Sequence, residues 1–183
     1  MPNRGYPKTL LAALVAALAC VAPAAADDNA SGGAPYQPPP KRAKIVNGRA
    51  VATRSAPSKV KKVIAAANKI VTKPYHFGGG HGKWNDSGYD CSGSVSFALH
   101  GARLIKRPMD SGELMHWARR GAGRWVTVFA NGGHAFMMVA GLRFDTGYRS
   151  TYAARHGAKR GSGPRWDKRR PTRGFVARHP KSL

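Results

Sequence analysis

The chain changes its hydrophobic period once, and that change constrains its fold more than any other feature. Val60, Val63, Ile64, Ala67 and Val71 recur at helical spacing, with Ser58 placed to cap the helix and Pro74 to stop it. A second helical pattern, Val95, Leu99 and Ala102, opens after Asp90-Cys91-Ser92-Gly93. The stretch from Pro108 to Gly112 breaks it, and a short helix is expected from Glu113 to Arg119. Beyond that point the pattern is that of strands: Val126 to Ala130, His134 to Ala140 and Leu142 to Thr146. Asn131-Gly132-Gly133 supplies a turn between the first two, and the segment from Gly174 to Ala177 is expected to return as a last edge strand. Helices first and strands second predict an α+β domain, an antiparallel sheet with helices on one face.

The flanks of this region are expected to lie outside its core. Residues 1–26 have the form of a secretory signal peptide: Arg4 and Lys8, an apolar run from Thr9 to Val21, then Ala24-Ala25-Ala26 before Asp27. The run is shorter than the ~20 residues needed to cross a bilayer. Residues 27–57 carry Ser31-Gly32-Gly33 and Pro38-Pro39-Pro40 without apolar periodicity and read as a disordered linker. The domain is therefore expected over 58–183, with 147–172 basic and loosely ordered around one anchor, Trp166.

Cleavage after Ala26 removes Cys20, which otherwise could be lipidated, and leaves Cys91 as the single cysteine. A lone cysteine in an exported protein is a partner in an intermolecular bridge, a buried bystander or a reactive thiol. Its position favours reactivity. Cys91 stands where a glycine-bearing loop enters a helix, and a helix N-terminus offers partial positive charge and unpaired N–H groups to a thiolate or an oxyanion. Of the seven histidines, His134 opens a strand directly after two glycines, a setting from which it can reach a thiolate across the sheet–helix boundary. His76 and His81 flank the loop Gly78-Gly79-Gly80, and the others lie in a helix or in polar stretches. A closed zinc site wants four ligands, usually in close pairs, which one cysteine and scattered histidines do not supply.

Three ordered motifs, Tyr75-His76-Phe77-Gly78-Gly79, Asp90-Cys91-Ser92-Gly93 and Gly133-His134-Ala135, resemble those of the NlpC/P60 peptidoglycan peptidases. The resemblance spans roughly 58–146. It implies a papain-like α+β core, Cys91 as nucleophile, His134 as base, and hydrolysis of amide bonds in cell-wall stem peptides without a cofactor. It also implies that Tyr75, Asp90 and Ser92 line a subsite for the substrate's amine or peptide end. Phe77 stands where the family usually has Trp. The family's third catalytic residue is a polar side chain, often His, on the strand after the base. Here that strand is Leu142-Arg143-Phe144-Asp145-Thr146, and Asp145 is the candidate. An ion pair between Asp145 and Arg143, two residues apart on one face, is the competing role.

The charge speaks to partners. Lys and Arg total 31 against 8 acids, a net +23, and loss of Arg4 and Lys8 with the signal leaves +21. Such an excess suits anionic cell-wall polymers in a secreted or envelope setting. A monomer is expected, without a specific nucleic-acid target. Two other classes stay open: a non-catalytic basic protein binding envelope or nucleic acid on the same fold, and an amidase or acyltransferase variant.

Overall fold

The computed structural model describes residues 42–147, 163–168, 171–181 and 183. Residues 1–41 lie outside them, and with them the expected signal peptide and the first 15 residues of the expected linker. Ahead of the helices the chain forms a hairpin, strand β1 over Lys44–Val46 and β2 over Arg49–Val51. This corrects the linker reading as far as 57. The physical cause is Asn47-Gly48, whose φ values of 47° and 73° make the two-residue turn that matches the twist of antiparallel strands. The hairpin is docked: Ala43 and Ala50 are buried, and Ala43 N–H donates to Ala140 C=O at 2.9 Å.

Helix α1 runs Ser58–Ile70 and buries Val60, Val63, Ile64, Ala67 and Ile70. Its cap is Pro57, with no side-chain capping bond, and Ser58 is its first residue rather than its cap. Proline's fixed φ suits that junction. Helix α2 runs Cys91–Gly101 and crosses α1 at Gly101, where an added Cβ would strike Ala66. Helix α3 is confined to Ser111–Leu114, held by an Asp110/Glu113 capping box. The expected continuation to Arg119 is absent: the helix is capped at Met115, Ala118 follows with a φ of 50°, and Arg119–Arg120 form strand β3.

The strands that follow are β4 (Val126–Asn131), β5 (His134–Val139), β6 (Leu142–Asp145), β7 (Arg165–Asp167) and β8 (Val176–His179). They build an antiparallel sheet in the order β3-β8-β4-β5-β6-β7. β8 is thus not the edge expected from the sequence. Arg119 and Arg120 pair with His179 and Arg178 on its outer side, a two-residue strand with no apolar alternation to announce it.

The helices cover one face, where Val126, Val128, Ala135, Met137, Val139 and Phe144 meet Val95, Leu99 and Tyr89. The fold is accordingly α+β, with helices on one side of an antiparallel sheet. A smaller cluster, Phe129, Phe136, Met138 and Ala177, occupies the opposite face. Trp166 is buried against Phe144 and donates to Asn68 Oδ1 at 2.8 Å, which ties β7 to α1.

Candidate active site

The glycine loop and α2 are locked together by close backbone approach. Asp90 caps α2, accepting from Gly93 N–H at 2.7 Å through Oδ1 and from Gly78 N–H at 3.1 Å through Oδ2. A Cβ on Gly93 would collide with the Gly79 carbonyl, so this crossing needs glycine. The result places Cys91 as the first residue of α2, half-buried, with its thiol at the helix N-terminus.

His134 is positioned by a turn. Asn131 Oδ1 accepts from the N–H groups of Gly133 and His134, at 3.0 and 2.9 Å, and fixes where β5 begins. The imidazole lies with Phe136 and Phe175 beside it, the latter edge-on at 6.2 Å between ring centres. Its Nε2–H donates to Asp145 Oδ1 at 2.8 Å. The remaining ring nitrogen is left toward the Cys91 thiol, and each of these two groups shifts the proton affinity of the other. Cys91, His134 and Asp145 are thereby brought together in one site.

The electrostatics follow from that arrangement. Burial raises the Cys91 thiol, but the hydrogen bond from His134, the Ala135 N–H and the imidazolium charge outweigh it and hold the thiol below its ordinary range. Burial works against charge on His134 as well. The bonds to Asp145 and Cys91 and their negative charges overcome it and push the imidazole up to about 9. For Asp145 burial is again the largest influence, raising it. The His134 bond, the Arg143 charge and the Gly147 N–H reverse this and keep the carboxyl below its usual range. Both shifts run in the direction of a thiolate–imidazolium pair.

The two roles weighed for Asp145 coexist. Oδ1 serves His134, while Oδ2 accepts from Arg143 Nε at 2.8 Å and pairs with its NH2 at 2.7 Å. Both side chains are buried, so this is no surface pair.

Asp90 and Ser92 are brought together, Ser92 Oγ donating to Asp90 Oδ1 at 3.3 Å. His81, passed over in the sequence, joins them: its Nε2 lies 3.1 Å from Asp90 Oδ1 and 3.2 Å from Ser92 Oγ. No spacing rule marks His81, because it arrives through the folding back of the Gly78–Gly80 loop. Tyr75 is half-buried on the segment where Tyr89 N–H bonds Pro74 C=O and His76 N–H bonds Tyr89 C=O, one residue from Asp90 across that pairing. Phe77 is 93% exposed, so it walls nothing within the chain.

No protein-family model matches the chain, and no curated protein matches it. Among solved structures it is similar to the peptidoglycan hydrolase RipB from Mycobacterium tuberculosis, at 22% identity over 70% of this chain and 68% of that one, with a TM-score of 0.49. It is also similar to the P60 domain of an antigen from M. avium subspecies paratuberculosis, at 20% identity over 66% of this chain and 93% of that one, with a TM-score of 0.48. These are likenesses of fold.

Proposed function

We propose that the chain is an exported cysteine endopeptidase that hydrolyses amide bonds in peptidoglycan stem peptides. The observation that carries the reading is the connected set Cys91, His134 and Asp145 at the N-terminus of α2. Cys91 and His134 are the catalytic residues, and Asp145 orients the base. The thiolate adds to the amide carbonyl carbon. The imidazolium gives its proton to the departing nitrogen as the C–N bond breaks, and a thioester remains. Water then attacks the thioester with His134 taking its proton, and the thiol is regenerated as the acid product leaves. The helix N-terminus offers N–H groups to the intermediate's oxyanion.

The wall as substrate rests on the three ordered motifs and on the excess of positive charge. Asp90, Ser92 and Tyr75 supply the amine or peptide-end subsite in this reading, with His81 beside them. An incoming ammonium would compete with His81 for Asp90 Oδ1. The test is digestion of purified muropeptides with product masses read out. Wild type is expected to yield fragments cut within the stem, and Cys91→Ala and His134→Ala none. Cleavage by Cys91→Ala at the wild-type rate would end the thiol mechanism. Intact muropeptides with wild type would end the substrate assignment.

A further inference from the structure

Arg143 is a costly residue to place where it stands. It is buried, on the same face of β6 as Asp145, and its guanidinium lies 3.4 Å from the centre of the Phe136 ring. Three of its donors are used. Nε and NH2 meet Asp145 Oδ2, and NH1 reaches Pro171 C=O at 3.4 Å. Asp145 Oδ1, meanwhile, is held by His134 and by Gly147 N–H at 2.8 Å. One buried carboxylate thus bridges two cationic groups, one of them fixed in charge and the other the base itself.

Resting on the hydrolytic reading above, we propose that Arg143 is a positioning residue of this site. It takes half of Asp145, so that His134 stays acidic enough to return its proton to the leaving nitrogen. The need is chemical. A carboxylate devoted to a single imidazolium in a buried setting would hold the proton too firmly for an efficient acid at neutral pH. A second cation on the same carboxylate, repelling the first, loosens that hold. The groups that set the balance around His134 are few. Cys91 faces it from α2 and Asp145 from β6, and Arg143 meets the far oxygen of that carboxylate rather than the imidazole. On β7, Arg165 and Asp167 lie in register with Asp145 and Arg143, and Arg173, on the segment before β8, is exposed. Arg143 touches the carboxylate through two donors.

The test reads His134 without a wall substrate. Iodoacetate is drawn to the imidazolium, so its rate of alkylating Cys91 rises as the thiolate forms and falls as His134 loses its proton. In Arg143→Gln the alkaline limb of this profile is expected to move up by roughly half a unit or more. In Arg143→Lys, which keeps the charge, it is expected to stay within about 0.2 units of wild type while turnover falls, because one ammonium replaces a two-donor fork. A merely structural arginine would lower stability in both variants and move the limb in neither. An unmoved or lowered limb in Arg143→Gln overturns the proposal. If that variant does not fold, a limb displaced by about one unit in folded Arg143→Lys overturns it equally. A shifted limb in an enzyme that cleaves no muropeptide leaves the role of Arg143 standing and removes only the substrate.

Discussion

At the scale of single residues, the site depends on two protons being in unusual places. With His134 pushed up to about 9, the imidazolium persists through neutral pH and is lost as pH rises through that value. Turnover and iodoacetate alkylation of Cys91 are therefore expected to fall above about pH 9, and the thiol to react at mildly acidic pH where free cysteine, at about 8.5, does not. A pH–rate profile checks both limbs; an alkaline limb near the ordinary histidine value would show that Asp145 does not act on His134.

Asp145→Asn tests the same link from the other side. The neutral amide cannot hold the imidazolium, so the alkaline limb is expected to move down and the turnover number to drop. The structure adds a stability cost that the sequence did not suggest: the substitution strands the buried Arg143 guanidinium. Breaking one partner of a buried pair costs about 3–5 kcal/mol, so a clear loss in melting temperature should accompany the kinetic defect. Loss of stability without movement of the limb would leave Asp145 a partner of Arg143 alone.

At the scale of elements, Asn68 joins three of them. Its Oδ1 accepts from Ala50 N–H at 2.9 Å and from Trp166 Nε1–H at 2.8 Å, and its Nδ2 donates to Ala50 C=O at 2.8 Å. One side chain on α1 thereby pins both the β1–β2 hairpin and β7. Asn68→Ala leaves these groups without partners, at about 1–3 kcal/mol for each one buried. Chemical denaturation should show the loss, with Asn68→Asp retaining part of it through the Oδ1 contacts. A midpoint unchanged by Asn68→Ala would mean that the hairpin docks through Ala43 and Ala50 alone.

At the scale of the whole molecule, the role proposed for the charge outside the core is to hold the chain on the wall. The expected basic tail falls largely on residues the structure does not describe, and its role is read from composition. Charge-neutralising Lys159, Arg160, Lys168, Arg169 and Arg170 to Gln is expected to weaken co-sedimentation with insoluble wall and to spare turnover of a small soluble peptide. Raising salt from 0.1 to 1 M shortens the screening length from ~10 to ~3 Å, and should release wild type from the wall in the same selective way. Undiminished pelleting of the neutralised variant at low salt would make these charges ordinary surface.

The linear sequence by itself determined the succession of α1, α2 and the strands β4 to β6, the turn at Asn131-Gly132-Gly133 and the capping of α2 by Asp90, because each depends on neighbours within a few positions. The hairpin at Asn47-Gly48 was equally local, though hidden in a segment poor in apolar residues. Only the tertiary structure decided what depends on segments far apart in the chain: that β8 lies inside the sheet, that His81 folds back onto Asp90 and Ser92, and that Arg143 shares Asp145 with His134. Spacing along a strand places Arg143 and Asp145 on one face, but not which carboxylate oxygen each neighbour takes. That is settled by packing, with Phe136 beneath the guanidinium and Gly147 N–H on Oδ1 of the carboxylate.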